Sequence, residues 1–192
     1  MSKVKENDLT MGLSGKFGRQ FIFRNVKGQT IAARQSAKSR KRSKQTQAQK
    51  DHINRFRAAV VYAKAALADE ARRLAYAEKA ANMTYAVSAY NIAVADYLHA
   101  PEINEINVSE YTGQAGEEII VSAIDNFKVT EVKVEIRQGD DTLVEKGVAV
   151  VAPTGLEWVY TTQSVNASPA GCRIIVRVMD TPGNATVKEM VI

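Results

Sequence analysis

The spacing of the apolar residues changes once along this chain, next to Pro101. Over residues 45–99 apolar side chains recur every three or four positions, and over residues 103–192 most of them alternate with polar ones. The first spacing is that of a helix with one buried face, and the second is that of a strand with one buried face. The pattern predicts an α+β protein in which a helical segment precedes a β-rich segment.

The helical segment carries signals for either a helical hairpin or three packed helices, whose many alanines allow close approach. Asp69 is expected in the first turn of a new helix, and Thr84 is expected to cap a further one. Leu74 is placed on the apolar face of the second helix. A buried stripe is predicted on the first helix, consisting of Ile53, Phe56, Val60 and Ala63.

The β-rich segment predicts about seven strands with turns at intervals of about 8–12 residues. Alternating runs lie at residues 119–123, 132–136 and 174–178, and Trp158 is expected to be buried. Short strands at this regular spacing are typical of an antiparallel β-sandwich.

Residues 13–34 predict a β-hairpin, with a turn at residues 25–28. An isolated two-stranded hairpin is marginally stable in water. We therefore expect its phenylalanines to be buried against the helices or against another subunit. The candidate assembly residues are Phe17, Phe21, Phe23, Ile31 and Phe56.

Charge is distributed unevenly along the chain. Residues 1–99 hold 19 basic and 7 acidic side chains, whereas residues 100–192 hold 7 basic and 14 acidic ones. Residues 10–50 hold eleven Lys or Arg and no Asp or Glu. This asymmetry predicts an acidic surface or a polyanion as partner. The candidate contact residues form an exposed basic arm, consisting of Lys38, Arg40, Lys41, Arg42 and Lys44.

Two resemblances add to this interpretation. Residues 125–129, Trp158 and residues 180–184 resemble the immunoglobulin-like or fibronectin-type-III-like modules of bacteria, although Cys172 has no partner for a disulfide. Residues 14–18 and 46–56 resemble a group of small uncharacterised bacterial proteins. Because Ig-like modules are common on phage particles, adhesins and filaments, the first resemblance implies an assembly role by analogy.

Together these features predict a multi-domain chain. The division comprises a flexible tail at 1–12, a β-hairpin and basic arm at 13–44, a helical domain at 45–99 and an Ig-like β-sandwich at 100–192.

The sequence predicts no catalytic residue, metal ligand or cofactor. The segment from Gly12 to Lys16 lacks the Ser or Thr of a phosphate-binding loop, because Phe17 follows the lysine. Cys172, His52 and His99 are too few for a metal or nucleophile site. The acidic pairs 117–118 and 140–141 lack the ligand spacing of a calcium loop. No small-molecule substrate is evident.

The start of the chain has no apolar run of the kind found in signal peptides, and no stretch is apolar enough to span a membrane. We expect synthesis in the cytoplasm, with a virion or an extracellular filament as the place of action. The leading hypothesis is a non-enzymatic structural subunit of a bacterial or phage filament or virion-like particle. It assembles with itself through the hairpin and helices, and the Ig-like domain projects outward. The alternative is a nucleic-acid-binding protein whose basic arm contacts phosphates independently of sequence.

Overall fold

The computed structural model describes residues 2–4, 10, 12–26, 29–35 and 45–192. Over these residues the chain forms three helices and three antiparallel four-stranded sheets. The predicted α+β class is confirmed.

The predicted hairpin belongs to a larger sheet, which we call the N-terminal sheet. Its order is β1-β4-β3-β2. The expected hairpin corresponds to β3 and β4, in which Asn25 pairs with Thr30. Within the predicted tail at 1–12, Ser2–Val4 form β1. The sequence analysis did not predict this strand, because three residues offer no alternation to detect. The strands are β1 (Ser2–Val4), β2 (Gly15–Phe17), β3 (Phe21–Val26) and β4 (Gln29–Arg34).

Three helices follow, which is one of the two predicted arrangements. They are α1 (Gln47–Ala68), α2 (Glu70–Asn82) and α3 (Ala89–Leu98). Thr46 and Gln49 form a capping box at α1, and Asp69 caps α2 by accepting from the amide of Arg72. Ser88, and not Thr84, caps α3, because that helix begins later than predicted.

The buried face of α1 shares Ala63 with the predicted stripe, whereas Ile53 and Val60 are only half-buried. Ala59, Ala63 and Ala66 are buried, whereas the side chain of Phe56 is 48% exposed. On α2, Leu74 is likewise exposed and Tyr76 is buried instead. The fully buried positions of α1, which packs along α3, are thus alanines, whose small side chains allow close approach. At one point of this contact the rings of Tyr62 and Tyr97 also meet, with centroids 5.3 Å apart.

The β-rich segment forms eight strands in two sheets. One sheet has the order β5-β6-β10-β9, and the other has the order β12-β11-β7-β8. The strands are β5 (Glu102–Asn107), β6 (Glu118–Ile124), β7 (Val129–Arg137), β8 (Leu143–Val148), β9 (Val150–Val151), β10 (Glu157–Thr161), β11 (Arg173–Asp180) and β12 (Ala185–Val191).

The two sheets share one hydrophobic cluster, to which the predicted alternating runs contribute. Residues at alternate positions of 119–123, 132–136 and 174–178 are all buried there. The number of strands exceeds the prediction because one predicted apolar run, ending at Val151, forms two strands. The chain leaves β8 at the buried Ala149 and continues as β9 in the other sheet. Trp158 was expected to be buried and is half-buried at the margin of the cluster.

Gly147 on β8 provides a test of this packing. A Cβ atom built on Gly147 would lie 2.7 Å from Cε2 of Tyr160, a side chain that is 3% exposed. We expect Gly147→Ala to lower the free energy of unfolding by about 1–3 kcal/mol, because the buried ring has to shift. Chemical denaturation measures the change, with the exposed Val148→Ala as the control. Equal unfolding midpoints for the two variants would contradict this packing.

Candidate functional site

Three of the five predicted assembly residues come together on the N-terminal sheet. Phe17 pairs directly with Phe21, and the rings of Phe17 and Phe23 meet edge to face with centroids 6.2 Å apart. Paired residues and alternate residues of a strand share one face. Phe17 is 68% exposed and Phe21 is 44% exposed. We call these three residues the phenylalanine face.

The other two predicted assembly residues lie elsewhere. Ile31 pairs with Arg24, the neighbour of Phe23 on the same strand, and therefore lies on the opposite face of the sheet. Phe56 lies exposed on α1. The structure thus divides the predicted set between two faces of a sheet and one helix.

The N-terminal sheet has little internal support in the part of the chain that is described. Thr30 is the one buried residue among its described side chains. Within the described ranges, its strands make no extended contact with the helices or with the other two sheets. The expected burial of Phe21 against the helices is therefore not found, and another subunit is the alternative that remains.

The N-terminal sheet is also basic. Lys16, Arg24 and Arg34 are exposed on its strands, and the sequence around them contains no acidic residue. No ion pair within the described residues involves this sheet. The predicted basic arm lies outside the described residues, at Lys38, Arg40, Lys41, Arg42 and Lys44.

The sheet formed by β5, β6, β10 and β9, which we call the acidic sheet, has the opposite charge. Its strands contain no Lys or Arg, and within the described residues its glutamates form no ion pair. The exposed glutamates are Glu102, Glu105, Glu118 and Glu157. The described chain therefore carries one basic and one acidic sheet, and neither neutralises the other through an ion pair.

The isolated histidines and cysteine lie apart from one another. Cys172 is buried, and burial raises the pKa of its thiol above the usual value, which disfavours the reactive thiolate. His99 caps the end of α3, with Nδ1 2.8 Å from the carbonyl oxygen of Ala95, and His52 is exposed on α1. One of the acidic pairs, at 117–118, has a structural role. Glu117 accepts hydrogen bonds from three backbone amides of the preceding loop.

Three carboxylates that the sequence analysis did not connect meet where the helices contact the β-rich segment. Asp96 lies on α3, Asp125 lies between β6 and β7, and Asp180 ends β11. One carboxylate oxygen of each lies within 4.8 Å of the other two. We call these residues the aspartate cluster.

Hydrogen bonds fix each carboxylate of the aspartate cluster. Asp96 Oδ2 accepts from the hydroxyl of Tyr76 at 2.5 Å. Asp125 Oδ2 accepts from the amides of Phe127 and Lys128 at 2.9 and 2.8 Å. Asp180 Oδ1 accepts from the amides of Gly183 and Asn184 at 2.9 and 2.6 Å. The second oxygens of Asp96 and Asp125 are buried and have no hydrogen-bond partner.

Burial and mutual repulsion shift the ionisation of this cluster. Asp96 is 0% exposed, and burial raises its pKa to about 7. The Tyr76 hydrogen bond opposes the rise. The charges of Asp125 and Asp180 add to it, as does the hydrogen bond that a protonated Asp96 shares with Asp125. Burial also raises the pKa of Asp180 above its usual value, against the hydrogen bonds from Asn184. Ionised aspartates are therefore costly at this position unless positive charge accompanies them.

Neighbouring contacts join the helices to the β-rich segment around the aspartate cluster. The rings of Tyr76 and Phe127 stack with centroids 4.2 Å apart. The side-chain amide of Asn184 donates to the carbonyl oxygens of Asp96 and Tyr97, both at 3.3 Å. Side-chain contacts therefore connect residues before the predicted domain boundary at residue 100 with residues after it.

Comparison with protein-family models, with curated proteins and with solved structures finds no match for this chain. None of the described helices is both long and apolar enough to cross a membrane. The resemblances stated above remain predictions.

Proposed function

We propose that this chain is a non-enzymatic structural subunit that assembles with copies of itself through its N-terminal sheet. The observation that carries the proposal is the exposed phenylalanine face, on a sheet that buries only Thr30 among its described side chains. A sheet gains independent stability when a hydrophobic face is covered. A neighbouring subunit would supply that cover and the missing apolar contacts.

Charge complementarity favours a second copy as the covering partner. Arg34 is exposed on the phenylalanine face, Lys16 and Arg24 are exposed on the opposite face of the N-terminal sheet, and the acidic sheet exposes four glutamates and has no Lys or Arg on its strands. Opposite patches on one chain allow head-to-tail contact between identical subunits, and such contacts generate rings or open filaments. The basic arm follows the N-terminal sheet along the chain and adds further positive charge next to it.

The strand order of the β-rich segment supports an Ig-like sandwich as the projecting part of the subunit. In chain order its eight strands correspond to A, B, C, C′, D, E, F and G, with sheets A-B-E-D and C′-C-F-G. The antibody disulfide is not possible, since Cys172 is the single cysteine. A filament or virion-like particle of bacterial or phage origin is the assembly that this arrangement favours.

Nucleic acid binding is a second candidate, favoured by the mixture of aromatic and basic residues on one face. Phe21 pairs with Arg34, and both are exposed. Exposed aromatic rings stack on bases and Arg contacts phosphates without reading sequence. The basic arm would add further phosphate contacts.

Purification without nuclease separates the two functions. We expect the unaltered chain to form particles many times larger than one 21.0 kDa subunit, with an absorbance ratio typical of protein alone. Light scattering gives the particle size, and absorbance at two wavelengths reports bound nucleic acid. Small particles that retain nucleic acid would contradict assembly and support the second candidate.

A further inference from the structure

We propose that Asp96, Asp125 and Asp180 bind a calcium ion that ties α3 to two loops of the β-rich segment. The proposal is independent of self-assembly, since the aspartate cluster lies away from the strands of the N-terminal sheet in the chain and joins other elements. One carboxylate oxygen of each residue lies within 4.8 Å of the other two. Ligands on opposite sides of Ca²⁺ are separated by up to about 5 Å, because each Ca–O distance is about 2.3–2.6 Å.

A second observation concerns hydrogen bonds that are missing. Asp96 is 0% exposed, and only one of its two oxygens has a hydrogen-bond partner. Asp125 likewise has one oxygen engaged by backbone amides and one buried oxygen without a partner. Buried acceptors without partners are costly and rare. Two such oxygens in one group of converging carboxylates indicate a ligand that is coordinated by oxygen atoms.

The charge of the cluster favours a cation as that ligand. Within the described residues, none of the ion pairs involves Asp96, Asp125 or Asp180. Outside the cluster, the partners of these carboxylates are one hydroxyl, one side-chain amide and backbone amides, all of them neutral. A divalent cation would compensate the negative charge and engage the free oxygens.

The type of ligand favours calcium over magnesium or a transition metal. All three side chains offer carboxylate oxygen, which hard cations prefer, and no His or Cys belongs to the group. Calcium accepts irregular geometry and protein ligands from separate segments. Magnesium requires near-ideal octahedral geometry and usually keeps several waters. Asp96 and Asp180 are both buried, at 0% and 3% exposure, which leaves little room for such waters.

Thermal unfolding of the full chain tests this site, with Asp125→Asn as the main variant. An asparagine at this position keeps an oxygen for the amides of Phe127 and Lys128, but removes one negative charge. Between excess EDTA and millimolar calcium, we expect the unfolding midpoint of the unaltered protein to rise by about 5 °C or more. In Asp125→Asn we expect most of that rise to be lost.

The matched control is Asp140→Asn, because Asp140 also accepts from a nearby amide, that of Thr142, and lies outside the cluster. It is expected to keep the full calcium response. In EDTA, Asp125→Asn is expected to be at least as stable as the unaltered chain, since removing a charge relieves repulsion. An unaltered protein with the same midpoint in EDTA and calcium would overturn the proposal. A full response in Asp125→Asn, or an equal response to magnesium, would also contradict it.

Discussion

A chain carrying Phe17→Ser and Phe21→Ser is expected to sediment as a 21.0 kDa monomer under conditions in which the unaltered chain forms large assemblies. Both side chains are exposed in the single chain, at 68% and 44%. Burying a phenylalanine completely contributes about 1.5–3 kcal/mol. Because the two side chains together expose little more than one full side chain, losing both from each contact would weaken association by about 20–300-fold. Sedimentation velocity measures the result.

The control for this variant removes exposed apolar side chains from the β-rich segment. Val187→Ser with Val191→Ser changes two residues of β12, on the sheet opposite the acidic sheet, that are 56% and 62% exposed. These substitutions should leave the assembly unchanged, because the proposed contact involves other residues. Unchanged sedimentation of the phenylalanine variant, or equal loss in the control, would contradict the role of the phenylalanine face.

The second large effect concerns the basic arm. Replacing Arg40, Lys41 and Arg42 with Gln removes three positive charges. If the arm contacts the acidic sheet of a neighbour, assembly should weaken strongly, and high salt should weaken the unaltered protein in the same way. If the arm contacts nucleic acid instead, the association constant for nucleic acid should become less dependent on salt. The magnitude of the slope of its logarithm against log salt should decrease by up to about three. We expect the assembly defect to be the larger effect.

A complementary variant separates these outcomes. Glu102→Gln with Glu118→Gln and Glu157→Gln removes three charges from the acidic sheet. It is expected to weaken assembly as the arm variant does, and to leave nucleic-acid affinity at least as high. An arm variant that assembles normally at low and high salt, but loses DNA binding, would reverse the order of the two candidate functions.

The parts of the fold that the sequence predicted correctly are those in which burial alone sets the pattern. Val132, Val134 and Ile136 alternate because one face of β7 lies in the cluster between two sheets. The helix junction at Asp69 was also predicted, since acidic residues at a helix N-terminus are a local signal. Neither prediction depends on which element packs against the strand or the helix.

Predictions failed where the neighbouring element decides the outcome. Phe56 matched a helical stripe, yet where α1 packs along α3 the buried positions are Ala59 and Ala66 beside the predicted Ala63. Counting apolar residues favours the larger side chain, whereas helix spacing selects the smaller one. The order β1-β4-β3-β2 was similarly hidden, because β1 is short and pairs with a strand distant in sequence.

The aspartate cluster could not be predicted from spacing, because its members lie on three separate elements. One local signal was nevertheless present. Asp96 lies on the same helix as Ile92 and Ala93, at positions that are buried, and a charged residue on a buried face requires a partner. In the sequence, Asp125 and Asp180 stood out only as members of the segments 125–129 and 180–184 that resemble Ig-like modules. Their convergence on Asp96 follows from the packing of α3 against two loops.

Negative-stain electron micrographs of the unaltered, nuclease-treated protein test the central claim of self-assembly most directly. The proposed head-to-tail contact between the N-terminal sheet and the acidic sheet predicts repeating objects, either filaments of constant width or closed particles of uniform size. Fields at high protein concentration and low salt that contain no repeating object would contradict the claim.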